Sequence, residues 1–184
     1  MSDLDQRVVL APDDGSLGPL LRIADDRLAP GAGYGRHEHR AVDVVAVVLA
    51  GSVHHSWHVD LPLAAGDVGV LRAGAGLEHD EVAGEHGARI LQCYLRSAAP
   101  SAAPAHRVHR SAAGWLDLGR TDARLWLRRV RPGTSLTVPP GLLVLRGADG
   151  VLVEQQAGRV VDEAGVALVW QLDSKRPHWS KEWT

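Results

Sequence analysis

The sequence has almost no sulfur, very little lysine and no long apolar run. Its single cysteine, Cys93, excludes an internal disulfide framework. No apolar stretch approaches the roughly 18 residues that a membrane helix requires. Residues 1–7 are charged and lack an apolar core, so they do not read as a cleavable leader. With one cysteine and no leader pattern, the expected setting is the cytoplasm. Basic residues form no block long enough for a nucleic-acid footprint, and the only two lysines are Lys175 and Lys181. Net charge is −2 with histidines neutral. A membrane-spanning helical protein, a disulfide-stapled module and a basic nucleic-acid binder are all disfavoured.

What is present is globular. Hydrophobic residues make up 45% of the 184, enough to bury a core. Ten histidines are a high count, and they weaken any single histidine motif. At that density chance alone gives roughly half a His-x-His pair per chain.

Short β-branched or apolar runs recur at residues 20–25, 42–49, 52–59, 68–71 and 88–95. Glycine turns at about 29–31, 50–51, 65–67 and 73–76 separate them. Spacing of roughly 8–12 residues without a helical period indicates an all-β sandwich or barrel. Residues 97–105, built of Ser, Ala and Pro, read as a linker. A second set of strands is expected at 123–130, 142–145, 151–154, 159–161 and 166–170. The predicted organisation is a first domain over 1–98, a second over 106–172 and a tail over 173–184 carrying Trp179 and Trp183. Residues 47–51 resemble 143–147, and 65–71 resemble 164–170, as in two divergent repeats.

Two segments carry chemistry. His37 and His39 lie two residues apart after a glycine-rich approach. Forty residues after His39 comes His79, followed two positions later by Glu81. On a strand, positions i and i+2 share a face. Convergence of the two pairs would give three imidazoles and one carboxylate, a set suited to Fe(II), Mn(II), Ni(II), Cu(II) or Zn(II). The plainer reading of each residue alone is a polar side chain on an exposed strand face. The glycine frame around the second pair favours the metal. Three neighbours have two readings each. Arg40 pairs a carboxylate near the site or is solvated. Asp43 orients a ligand imidazole or is a surface carboxylate. His55 lines the pocket or is a core histidine.

Gly31, His37, His39 and Asp43 in this spacing resemble the first cupin motif, with Asp43 where glutamate is usual. Gly66-Asp67, Gly74, Gly76, His79 and Glu81 resemble the pirin branch of the cupins, as does His37-x-His39-Arg40. The resemblance implies two cupin-type β-barrels, of which only the first binds metal. It implies His37, His39, His79 and Glu81 as ligands, Fe(II) as the favoured ion and Glu81 as a catalytic base. Implied activities are a quercetin 2,3-dioxygenase-like oxygenase taking flavonols or other enolic small molecules, or else a non-catalytic co-regulator whose metal tunes contact with a protein partner. Glu38 stands where proline is usual, and the Asp-Ser-x-Gly-Asn turn between the motifs is missing.

Overall fold

The structure is a computed structural model, and it describes residues 3–12, 14–58 and 60–173. These residues form strands and turns without a helix. No helix among them is therefore long and apolar enough to cross a membrane. The Trp179 and Trp183 expectations lie outside the described residues.

The first unit contains β1 (Leu4–Leu10), β2 (Leu20–Leu28), β3 (His37–His39), β4 (Val42–Ser56), β5 (Asp60–Ala64), β6 (Val68–Arg72), β7 (Leu77–Arg96) and β8 (Ala105–His109). They pair in the order β1-β2-β7-β4-β6-β8, with β5 on β4 and β3 on β7. Every ladder is antiparallel. The two long strands, β4 and β7, are its spine. Bulges at Val48/Ala50 and Gly51/Val53 break their shared register and let the ladder bend.

Alternation sets what faces inward. Leu28, Ala46, Val48, Val53, Leu63, Ala83, Ala88 and Ile90 form one buried cluster. Further along the same inner face, Arg22 lies opposite Tyr94, and Ala24 opposite Gln92. The barrel is thus apolar over one stretch and polar over the next. The polar stretch is where the candidate ligands gather.

The first unit extends to Ser111, which differs from the expected 98/106 division. Residues 97–105 are not an interdomain linker. The Ala75 amide donates to the Ala102 carbonyl at 2.9 Å, and β8 then pairs with β6. Pinned in this way, the small-residue segment closes the first unit.

The second unit comprises Asp14–Pro19 and residues 112 onward. Its strands are β9 (Gly114–Leu116), β10 (Ala123–Val130), β11 (Leu136–Val138), β12 (Gly141–Arg146), β13 (Val151–Gln156), β14 (Arg159–Val161) and β15 (Gly165–Leu172). The sheet order is β13-β12-β15-β10-β9, with β11 and β14 paired separately. Val130, Val138, Leu143, Leu145, Val161, Ala167 and Val169 form its core. Here β15 sits between β10 and β12, as β7 sits between β2 and β4. The 164–170 segment therefore corresponds in topology to β7, not to the 65–71 segment it resembles in sequence.

Candidate metal centre

The β3–β7 ladder places His37 directly opposite His79. Backbone bonds from the preceding loop hold that register. Tyr34 N–H donates to the Glu81 carbonyl at 3.2 Å, Ala83 N–H donates to Ala32 at 2.7 Å, and Gly33 bridges Val82. The glycine-rich approach is thus laced along β7 and delivers β3 to it.

Three imidazoles converge. His37 Nε2 lies 3.0 Å from His39 Nε2 and 3.0 Å from His79 Nε2. All three ligand atoms fall within 4.8 Å of one another. His37 Nδ1–H donates to the Gly35 carbonyl at 2.6 Å. A carbonyl can only accept, so this bond fixes the proton on Nδ1 and leaves the Nε2 lone pair facing its neighbours. Burial, then the nearby His37, lowers the pKa of His39. Burial is also the main cause that lowers His79, to about 4. Both rings are therefore neutral at neutral pH, the form a metal needs. Crowded, neutral nitrogen lone pairs around one point suit a first-row divalent ion.

Glu81 is one step along the same face of β7 from His79, and nearly fully buried. Its Oε1 contacts His55 Nε2, directly across the β4–β7 register. Its Oε2 accepts from Gln92 Nε2 at 3.1 Å, and Tyr94 O–H donates to Gln92 Oε1 at 2.7 Å. Burial alone would raise the Glu81 carboxyl. The adjacent His55 and the hydrogen bonds outweigh burial and hold it well below the usual carboxylate range. The structure thus joins His37, His39 and His79 in one cluster and sets Glu81 beside it, held by His55 and Gln92.

His55 is the inward-facing histidine of its strand. Its ring stacks on His106 of β8, with centroids 5.0 Å apart and planes at 16°. Gly69 makes room for them: a Cβ there would lie 3.2 Å from His106 Nε2 and 2.8 Å from Leu63 Cδ2. For Arg40 and Asp43, the reading that ties each to the ligands does not hold in this geometry. Arg40 is exposed and is not brought to the imidazoles. Asp43 is buried, but alternation turns it to the face of β4 opposite Val44 and Ala46.

Several site residues were not singled out from the sequence. Asp26 is fully buried and accepts from Tyr34 O–H at 2.8 Å. Burial pushes the Asp26 carboxyl up, against the bonds from Tyr34 and Gln6. Burial also raises the hydroxyls of Tyr34 and Tyr94, the latter to about 12. Gln92, a polar residue within the apolar run 88–95, was the legible signal. Arg22 and Asp26 share one face of β2 by alternation. His106 was hidden by placing the domain boundary before it.

The pirin family model matches residues 11–95. A pirin-like protein of Caulobacter vibrioides is 30% identical over 177 residues, covering 85% of this chain and 74% of that one. The chain belongs to the pirin family. The quercetin 2,3-dioxygenase of Escherichia coli K12 is 34% identical to this pirin over 72 residues, 38% of this chain and 31% of that one. The chain likewise spans 31% of the length of a Zymomonas mobilis relative to which it is 35% identical. Among solved structures, the bacterial pirin YhhW of E. coli in complex with nickel(II) superposes with a TM-score of 0.72 at 18% identity, covering 94% and 93% of the two chains. A quercetin 2,3-dioxygenase from Acinetobacter baumannii gives 0.61 at 20% identity, covering 92% and 76%. At those identities the structures establish the cupin fold, which the all-β, antiparallel architecture shares.

Proposed function

We propose that this pirin is a metal-dependent oxidoreductase, a dioxygenase acting on flavonols or similar enolic small molecules. The observation that carries the reading is the cluster of His37, His39 and His79, three imidazoles around one point beside a buried carboxylate. His37, His39 and His79 would hold the ion, with Glu81 next to them on the same strand face. Fe(II) is the proposed ion. Ni(II), the ion named with the E. coli pirin, and Zn, Mn or Cu are the alternatives that this donor set admits. Such an ion, when bound, supplies a centre at which an enol oxygen and O₂ can meet.

The chain's own residues do the rest. Glu81, ionised and buried, is the candidate base for an enol proton. His55 and Gln92 hold its two oxygens. Tyr34, Tyr94, Asp26 and His106 line the polar stretch of the barrel with hydrogen-bonding groups. The apolar cluster of Leu28, Val48 and Ile90 closes it on the far side. We place the protein in the cytoplasm, a setting that its single free, buried cysteine supports.

Anaerobic loading with Fe(II), followed by oxygen-uptake assays on quercetin, tests this reading. Uptake that depends on both iron and quercetin is expected. A fully iron-loaded protein that consumes no oxygen with flavonols would overturn it.

A further inference from the structure

The sequence resemblance makes Glu81 a fourth metal ligand beside His37, His39 and His79. The packing around that carboxylate turns it the other way. At this level β7 runs between β3 and β4, and His79 faces His37 of β3 while Glu81 faces His55 of β4. The three imidazole nitrogens lie within 4.8 Å of one another, and among the described residues no carboxylate oxygen joins that cluster. Two side chains on one face of one strand thus have partners on opposite neighbouring strands.

Both oxygens of Glu81 are engaged on that other side. Oε1 touches His55 Nε2, and Oε2 accepts from Gln92 Nε2 at 3.1 Å. Gln92 is fixed in turn by Tyr94 O–H at 2.7 Å. His55 is clamped as well. Its ring stacks on His106 with centroids 5.0 Å apart, and meets the His79 ring at 70° with centroids 5.8 Å apart. The absence of a side chain at Gly69 leaves room for this stack. The Glu81 main chain has no freedom to follow a moving side chain. Tyr34 N–H donates to its carbonyl at 3.2 Å, and a Cβ on Gly33 would lie 2.4 Å from that oxygen. Turning the carboxylate to the cluster would strip His55 and Gln92 of their acceptor in a buried site, which is unfavourable.

We propose that His55, clamped by His106, is a positioning residue that keeps Glu81 out of the metal shell. The centre takes three protein nitrogens, and Glu81 stays beside the ion as a hydrogen-bond acceptor. One more position is then open to water or ligand than a four-residue set would leave. This rests on the metal-centre reading above and is independent of what the ion reacts with. His55 itself touches neither ion nor substrate.

The test uses the full-length protein loaded with cobalt(II), whose visible bands report the number and kind of its ligands. Glu81→Gln should give the wild-type spectrum, because no ligand is lost. In His55→Leu the carboxylate is released towards the ion, and the bands should shift. His55→Leu/Glu81→Gln should return them to the wild-type position. His55→Gln, which keeps an N–H donor for Glu81, should leave them unshifted. A changed spectrum in Glu81→Gln would overturn the proposal without recourse to any His55 variant. So would a Glu81 oxygen about 2.0–2.2 Å from the ion in crystals of the metal-loaded wild type, the usual carboxylate ligand distance. Bands that stay in place in His55→Leu, or a shift that persists after Glu81→Gln is added, would remove the role of His55. The two readings fail separately. An iron form that consumes no oxygen with flavonols ends the dioxygenase and leaves these spectra as they are. Glu81 found in the shell ends this proposal and leaves the oxygenase standing. Wild type that takes up no cobalt ends both.

Discussion

Glu81 and His55 face each other across the β4–β7 register and touch side chain to side chain, with 2% and 3% of their side chains exposed. A carboxylate so deeply buried is tolerated because a partner and a further donor, Gln92, meet both its oxygens. Removing His55 leaves the charge uncompensated. His55→Ala should destabilise the metal-free protein by about 3–5 kcal/mol, the usual result of breaking a buried pair. The double variant His55→Leu/Glu81→Leu should recover most of that loss. Urea unfolding of the three proteins measures both.

Metal binding is linked to folding through the three imidazoles. Wild-type protein should gain about 2.7 kcal/mol when free nickel is one hundred times its dissociation constant. His37→Ala and His79→Ala should show no such gain. Melting curves with and without nickel, beside elemental analysis, give the comparison.

Acid should destabilise the metal-free protein over a defined window. Burial lowers His79 and His106 to about 4 each in the folded state, against about 6.5 when unfolded. Between those values the unfolded chain binds more protons, so stability rises with pH. The contribution is complete above about 6.5 and is lost as pH falls towards 4. Each histidine should account for a loss on the order of 1–3 kcal/mol between pH 7 and 4.5. In His106→Leu that part of the slope should vanish. Urea midpoints at a series of pH values would expose a flat profile in the parent protein, contrary to this expectation.

The bend of the barrel depends on Gly51. Its φ is 67°, and an added Cβ would lie 1.9 Å from the Gly87 carbonyl oxygen. The obstacle is backbone and cannot swing aside. Gly51→Ala should lose about 2 kcal/mol or more, as measured by urea unfolding. Gly31→Ala has no atom in its way within 4 Å. It carries only the strain of its positive φ and should lose less.

Much of the centre is legible in the sequence. His37/His39 and His79/Glu81 each obey the two-residue alternation of a strand, so their shared faces could be read directly. Which strands meet could not. Cross-strand contacts such as His55 with Glu81, and His106 with His55, depend on register, and a shift of one residue would point either side chain outward. The ligand-orienting reading of Asp43 does not hold because alternation along β4 turns its side chain to the face opposite Val44 and Ala46. The domain boundary failed because a Pro/Ala/Ser segment has the same composition whether it links two bodies or is pinned to one. The pinning is by backbone bonds, Ala75 N–H to the Ala102 carbonyl and Ser97 N–H to the Ala41 carbonyl, which composition cannot show.

The central claim is that His37, His39 and His79 bind one transition-metal ion. Anomalous scattering from crystals grown with nickel tests it most directly. The expected result is one peak about 2.0–2.1 Å from the Nε2 atoms of all three residues, the distance usual for imidazole ligands. An empty position between them in nickel-replete crystals, or a peak held by other residues, would contradict it.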